Sequence, residues 1–361
     1  MSSNNKKVKV LVVDDSAFMR KILTDILSSN ETVEVIGMAK NGVEAIRLIQ
    51  LLKPDVVTMD IEMPILNGID ALKEIMKTNP VPVIMLSSLT SDGAEATLTC
   101  LDIGAVDFVQ KPSSVFRINI DDLKKELVNK INIASKVDLT FKNRKQFVKN
   151  NKLELIQNSN KTSTQNRKNK HYFIVIGTST GGPRALQHVL PLMPKDIPAS
   201  ILIVQHMPPG FTKSLAERLN SMSNIAVKEA EDDEKILPGY AYIAPGNYHL
   251  EIKTKSSSDT FIKLSQEEPV SGHRPSVDAL FKSVANNIDE NIIAVIMTGM
   301  GADGSNGVKE LKDNTDCYVI AQDEDTSVVY GMPKSAVNMG VVDDIVPLHE
   351  ITNYILKKLG V

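Results

Sequence analysis

Cysteine is scarce: the only two in 361 residues, Cys100 and Cys317, are far apart and show no CxxC spacing. That leaves no disulfide framework and no zinc site, and both read as buried thiols. Charge of one sign is also lacking. With a formal net charge of −3 and 24% charged residues, the chain offers nucleic acid no general electrostatic attraction, so no nucleic-acid partner is expected. No apolar run approaches the roughly 18 residues needed to span a bilayer. The opening segment MSSNNKKVKV has no apolar stretch of the signal-peptide kind before it enters a strand. A cytoplasmic protein is expected. Repeats with a period of about 20–50 residues are missing too, which sets solenoids aside.

What is present is a soluble globular composition, 42% apolar, on a chain too long for one ordinary core. Two folded blocks are expected, over 7–130 and 171–361, with a linker over 131–170. The linker reading rests mainly on FKNRKQFVKNNKLELIQNSNKTSTQNRKNK (141–170), which is dense in Lys, Asn, Gln and Ser, holds a single acid, Glu154, and has no sustained apolar period. Its positive charge implies that the flanking blocks are net acidic. It reads as a solvated tether, with a docking segment for an acidic partner as the alternative.

In the first block the apolar runs VKVLVVDD (8–15), VEVIGMA (33–39), DVVTMD (55–60), VPVIMLSS (81–88) and AVDFVQKP (105–112) alternate with helical patterns, the rhythm of a parallel sheet. Met19, Ile22, Leu23 and Ile26 fall at i, i+3, i+4 and i+7, the stripe of a helix packed on that sheet. Right-handed crossovers bring all strand carboxyl ends to one edge. There Asp14 and Asp15 end the first strand, Asp60 the third and Ser87 the fourth, and Lys111 lies beside the last. Converging carboxylates repel one another, and a hard divalent cation bound through oxygen relieves this. With the metal and Lys111 neutralising a phosphoryl group, an Asp carboxylate can act as its acceptor, and the Ser87 hydroxyl can add a hydrogen bond. Singly, an Asp at a strand end is more often only a turn former or N-cap, and it is the whole set on these strand ends that favours the site.

Residues 7–130 resemble the response-regulator receiver family through VVDDS (12–16), MDIEMPILNG (59–68), MLSS (85–88) and GAVDFVQKP (104–112). The resemblance implies a doubly wound five-stranded parallel sheet of order 2-1-3-4-5, with Asp60 as phospho-acceptor. Mg2+ would be held by Asp14, Asp15, Asp60 and the backbone carbonyl of Glu62. Phe108 matches the aromatic that reorients with Ser87 on phosphorylation; Ser replaces the commoner Thr at 87.

After the linker the alternation returns with HYFIVIG (171–177), SILIVQHM (200–207), NIIAVIMTGMGADG (291–304) and YVIAQ (318–322). A second, mainly parallel α/β layer is expected. The run AYIAPGNYHLEI (241–252) reads as an antiparallel hairpin around Pro245-Gly246-Asn247, making the sheet mixed. IVIGTSTGGPRALQHVL joins a strand to a helix through a Gly-rich turn with Pro183 in the first helical turn. It matches neither GxGxxG, a P-loop nor GxSxG. A phosphate cradle, a turn presenting a nucleophilic Ser and a plain tight turn all stay open on the turn alone. Of the six histidines, only His206 directly follows a strongly apolar strand; His273, in SGHRPS, is its one rival. Asp303, in TGMGADG, lies where a carboxylate could orient that imidazole. A Ser, a His and an Asp at three strand ends favour a triad.

GTSTGGPRAL, QHMPPGFTKSLAERL, YIAPGNYHL, GHRPSVDALF and TGMGADGSNGV are similar, in that order, to the chemotaxis protein-glutamate methylesterase family. The resemblance implies an α/β hydrolase-like catalytic domain over 171–361 with Ser179 as nucleophile, His206 as general base and Asp303 as its orienter. Backbone N–H groups at Met300 and Thr180 are the expected oxyanion donors. The implied partners are a chemotaxis histidine kinase as phosphodonor and methyl-accepting receptors as substrate, with membrane contact only through those receptors. The esterase chemistry is expected to need no cofactor, and the chain to be a monomer.

Overall fold

The computed structural model describes residues 7–88, 90–111, 120–137, 171–256, 259–289 and 291–361. Most of the expected linker, including its basic segment, lies outside the described residues. In the first block the order is β1 (Val8–Val13), α1 (Ala17–Ser28), β2 (Val33–Ala39), α2 (Gly42–Leu52), β3 (Val56–Asp60), α3 (Gly68–Thr78), β4 (Val83–Ser87), α4 (Ser91–Ile103), β5 (Asp107–Gln110) and α5 (Ile120–Ala134). The last helix runs four residues past the boundary expected at 130. Each of the first four helices starts where a short polar side chain takes an orphan N–H: Ser16 from Met19, Asn41 from Glu44, Asn67 from Asp70 and Thr90 from Gly93. The strands pair in parallel in the order β2-β1-β3-β4-β5.

Alternation along β1 divides the core. Val10 and Val12 face α1 and α5 through Leu23, Leu27, Leu127 and Ile131. Leu11 and Val13 face the other side, where Ile49, Leu72, Ile75 and Leu98 pack. The expected α1 stripe is realised: Leu23 and Ile26 are buried, with Leu27 added.

The second block runs β6 (Tyr172–Thr178), α6 (Gly182–Val189), β7 (Ala199–Gln205), α7 (Phe211–Met222), β8 (Ala226–Glu229), β9 (Tyr240–Ile243), β10 (His249–Ser256), β11 (Asp259–Ser265), α8 (Val277–Ala285), β12 (Ile292–Ile296), α9 (Ser305–Asn314), β13 (Tyr318–Gln322), α10 (Met332–Asn338), β14 (Asp344–Val346) and α11 (Ile351–Leu359). Seven strands pair in the order β14-β13-β12-β6-β7-β9-β8, and every pairing is parallel. The sheet is therefore not mixed, and the antiparallel hairpin lies elsewhere than expected. It joins β10 to β11 as a separate two-stranded sheet. The run before Pro245 becomes β9, inserted between β7 and β8, with Ala241, Tyr242 and Ile243 fully buried. The segment around Gly246 packs tightly on another loop, since a Cβ there would sit 2.3 Å from the Pro209 nitrogen. Residues facing α6, α7 and α11 (Ile174, Ile176, Ile201, Ile203) alternate with residues facing α8, α9 and α10 (Phe173, Val175, Leu202, Val204).

The two blocks touch along an apolar seam. One buried cluster runs from the α2–α4 face of the first sheet to the α6–α7 face of the second, with α4 against α6 and α7. Phe108 and Phe211 stack at its centre, ring centroids 4.6 Å apart. No helix among the described residues is long and apolar enough to cross a membrane.

Gly177 in the central strand faces the start of α8 so closely that a Cβ would lie 2.3 Å from Val277 Cγ1. Gly177→Ala is expected to destabilise the second block by about 1–3 kcal/mol. Val277→Ala added to it should restore part of that loss, giving a favourable coupling in a denaturant double-mutant cycle.

Candidate active site and phospho-acceptor site

Both sheets are wound outward from the middle, so the connections after two adjacent strands leave in opposite directions and open a crevice at the carboxyl edge. In the first block that point lies between β1 and β3, where Asp14, Asp15 and Asp60 converge. A ligand oxygen or carboxylate atom from each lies within 4.8 Å of the others. Lys111 Nζ is 2.8 Å from both Asp14 Oδ2 and Asp60 Oδ2. Burial pushes the Asp60 carboxyl up to about 6, although the Lys111 hydrogen bond and charge pull the other way. Burial would likewise lower the Lys111 ammonium, but its bonds to Asp14 and Asp60 outweigh this and raise it. One cation thus serves two carboxylates while Asp15 stays exposed, an all-oxygen donor set suited to a hard divalent cation.

At Glu62 it is the backbone N–H that approaches Asp60, 3.4 Å from Oδ1. Ser87 is not directed to the carboxylates. Its buried hydroxyl lies 2.6 Å from Thr97 Oγ1 and donates to the Gly93 carbonyl at 3.1 Å, so it is tied to α4. Thr97 carried no sequence signal beyond helical periodicity. Phe108 is buried against Phe211 of the second block, and Lys130 donates to the Phe108 carbonyl at 2.5 Å. Gly68 allows the tight return of the chain: a Cβ there would meet the Asp60 carbonyl oxygen at 2.1 Å.

In the second block the crevice lies between β6 and β12, and Ser179 and the 298–304 loop flank it. Thr178 and Gln205 are paired at the ends of β6 and β7, so the next residue on each strand, Ser179 and His206, emerges at the same edge. Gln205 organises this corner. Its amide donates to the Ser179 and His206 carbonyls at 3.1 and 3.2 Å, and its Oε1 accepts from Thr178 Oγ1 at 2.6 Å. A side chain at Gly182 would collide with it, Cβ to Oε1 2.0 Å. Gly299 is equally constrained, because a Cβ there would lie 2.8 Å from Ser179 Cβ and 2.3 Å from Met332 Sδ.

His206 and Asp303 are brought together: Nε2 is 2.8 Å from Asp303 Oδ2. The other ring nitrogen, Nδ1, is buried without a hydrogen-bond partner among the described residues. Asp303 is held from behind by the N-terminus of α8. It accepts from Ser276 Oγ (2.8 Å) and from the N–H groups of Val277 (2.7 Å) and Asp278 (3.1 Å). Burial alone would raise the Asp303 carboxyl, but the His206 hydrogen bond and charge and those N–H groups hold it below the usual carboxylate range. Asp278 caps the start of α9, accepting from Gly304 (3.0 Å) and Gly307 (2.7 Å), although burial raises its carboxyl above the usual range. Ser276 and Asp278 had no distinguishing sequence signal beyond the [ST]-x-x pattern that opens a helix.

Ser179 is half-buried, and no hydrogen bond joins its hydroxyl to His206 among the described residues. Its N–H is engaged by the Thr298 carbonyl at 3.0 Å, whereas the N–H groups of Thr180 and Met300 donate to no acceptor among the described residues. The neighbouring Thr180 hydroxyl reaches the first block, 2.5 Å from Asp107 Oδ2. Gln187 reaches Asp102 Oδ1 at 2.9 Å, and Arg218 also pairs with Asp102. Between the blocks lies a cleft of about 1120 Å3, lined by Met76 and Ile103 on one side and Gly181, Arg184, Thr298 and Val328 on the other.

An acidic crevice on one doubly wound sheet, joined to a Ser, a His and an Asp at the edge of another, defines a two-domain response regulator with an α/β output domain. Residues 10–120 match the family described as response regulator receiver domain, and residues 174–355 the family described as CheB methylesterase. The chain is 49% identical over 352 residues to the protein-glutamate methylesterase/protein-glutamine glutaminase of Halalkalibacterium halodurans, covering 98% of each. It is 45% identical over 356 residues to the protein of the same name from Pyrococcus horikoshii, covering 99% of this chain and 95% of that one. The crystal structure of the Thermotoga maritima CheB methylesterase catalytic domain superposes on it with a TM-score of 0.51 and 45% identity, over 52% of this chain and 99% of that one. The chain belongs to the CheB methylesterase family.

Above pH 6 the buried Asp60 carboxylate opposes folding, because its folded pKa of about 6 lies above the ordinary 3.8. In divalent-free buffer Asp60→Asn should stabilise the receiver at pH 8 by on the order of 2 kcal/mol. The gain should begin to shrink as pH falls below about 6, where the wild-type carboxyl takes up its proton, be roughly halved at pH 5, and vanish only near the ordinary 3.8. Thermal melts at pH 8 and pH 5 check this.

Proposed function

We propose that this chain is a phosphorylation-regulated protein-glutamate methylesterase. It hydrolyses glutamyl methyl esters on methyl-accepting chemotaxis receptors and deamidates receptor glutamines. The observation that carries the reading is the 2.8 Å bond between His206 Nε2 and Asp303 at the edge where Ser179 emerges.

With Nε2 committed to Asp303, the base of the reaction is Nδ1. It takes the Ser179 hydroxyl proton as Oγ attacks the γ-carbonyl of the ester. The tetrahedral oxyanion is received by the free N–H groups of Thr180 and Met300. As the C–O bond to the methoxy group breaks, the imidazolium returns its proton and methanol leaves. Water, deprotonated by Nδ1, then releases the glutamate; with a glutamine substrate the leaving group is ammonia. Asp303, kept ionised by its N–H donors, fixes the tautomer and offsets the imidazolium charge.

Asp60 accepts the phosphoryl group from a chemotaxis histidine kinase. Asp14, Asp15 and Asp60, with the Glu62 carbonyl, would hold Mg2+, which when bound neutralises the phosphoryl oxygens. Lys111 supplies the second positive charge. Ser87 must leave Thr97 and Gly93 to meet the phosphoryl group, and Phe108 follows, weakening its stack on Phe211. The receiver, seated on Thr180 and the α6–α7 face, then gives up its hold on the Ser179 cleft. This is a population shift, with no change in the chemistry. The protein acts in the cytoplasm as a monomer and meets the membrane through its receptors.

Ser179→Ala should lower receptor demethylation by about three powers of ten or more and abolish fluorophosphonate labelling, and Asp303→Asn should cost less. Near-normal demethylation by Ser179→Ala would sink the assignment.

Acetyl phosphate should raise the activity of the wild-type chain and leave Asp60→Asn unchanged. A fragment of residues 171–361 should exceed the unphosphorylated chain in basal rate. A fragment no more active than that chain would reverse the sign of the regulation.

A further inference from the structure

A second imidazole lies against the first. The His273 ring stacks on the His206 ring with centroids 3.9 Å apart and planes within 10° of parallel. Its place is secured from the backbone. Val270 and His273 exchange both N–H···O bonds, at 3.1 and 2.9 Å, around a turn whose central residues Ser271 and Gly272 both have positive φ (53° and 80°). Next door, the Arg274 guanidinium ties the segment to Asn247 Oδ1 (2.8 and 3.2 Å) and to the Gln266 and Glu267 carbonyls (both 2.9 Å).

The need for such a plate follows from the geometry of His206. One hydrogen bond, Nε2 to Asp303, fixes a point on the ring but not its plane. The terminal torsion of histidine is broad and roughly two-fold, so rotamer preference does not set the plane either. Nδ1, on the free side of the ring, is buried and unpartnered among the described residues. Where it points depends on the plane alone.

We propose that His273 is a positioning residue for the hydrolysis, a flat neutral surface that holds the plane of His206 so that Nδ1 addresses Ser179. The inference rests on the Ser-His-Asp reading above and adds to it a fourth side chain that exchanges no proton. Face-to-face stacking leaves neither ring nitrogen of His273 bonded to His206. Burial first, and the His206 charge second, hold the His273 imidazole down to about 4, with Asp303 pulling weakly upward. The plate therefore stays uncharged beside an imidazolium and does not compete for the proton.

The test compares His273→Ala, His273→Gln and His273→Phe in the full-length chain. Readouts are kcat and KM for ester hydrolysis, the fluorophosphonate labelling rate and the melting temperature. Loss of the flat surface in the Ala and Gln variants should lower kcat and labelling by about ten- to a hundred-fold, with KM within about two-fold. Phe, flat but without nitrogens, should recover kcat to within about three-fold of the parent. A purely structural role would instead follow melting temperature, and an acid–base role would leave Phe as impaired as Ala; either pattern overturns the proposal, as does an Ala variant with unchanged kcat. His206→Ala, run in parallel, separates the two levels. If it labels at the parent rate, the triad reading falls and takes this one with it; if it is inactive while His273→Ala is unimpaired, only the present inference falls.

Discussion

A parallel sheet sends every strand toward the same edge, and a sheet wound outward from its middle must leave one gap there, because neighbouring connections depart on opposite faces. Both candidate sites of this chain border such a gap. Between β1 and β3 it gathers Asp14, Asp15 and Asp60; between β6 and β12 it gathers Ser179 and the loop carrying Met300 and Asp303. Buried strands make these edges rigid; Asp60 is the last paired residue of β3, Ser179 and His206 come one residue past β6 and β7, and Asp303 lies on the loop that follows β12.

Charge at these edges is held by pre-oriented backbone donors and by few cations. Asp303 sits on the N-terminus of α8 and Asp278 on that of α9, so two helices offer their free N–H groups to carboxylates carried by the other's segment. This arrangement keeps Asp303 ionised in a buried place, which an isolated carboxylate would resist. The receiver solves the same problem less completely. A single Lys111 lies between Asp14 and Asp60, and the Asp60 carboxyl remains raised, leaving room for more positive charge.

The seam between the blocks joins the two sites. Its apolar part, centred on Phe108 and Phe211, follows the same core cluster as the sheets themselves. Its polar part is local to the second site, since the Asp107 carboxylate takes the hydroxyl of Thr180, next to Ser179. Asp107 is adjacent to Phe108 and shares Lys130 with it. A shift of β5 at this point is felt on both the apolar and polar sides of the contact.

Local sequence was enough for the βα alternation, the five strands of the receiver and the residues standing near the strand ends, while the strand order was implied by the family resemblance. These follow from period-two and helical apolar patterns, which are short-range, and from motifs whose members are close in the chain. Pairing across distance was decided by the tertiary structure. The run before Pro245 looks like half of a hairpin, yet it enters the parallel sheet as β9 because an apolar strand buried on both faces gains more between β7 and β8. The edge strands β8 and β14 were missed because they are short and of mixed polarity. His206 and Asp303 could be singled out from the segments that follow their strands, and Ser179 from the family resemblance. That Nε2 rather than Nδ1 meets Asp303, that Ser87 turns toward Thr97, and that His273 lies flat on His206 depend on rotamers and on contacts between residues far apart in sequence, which only the packed chain sets.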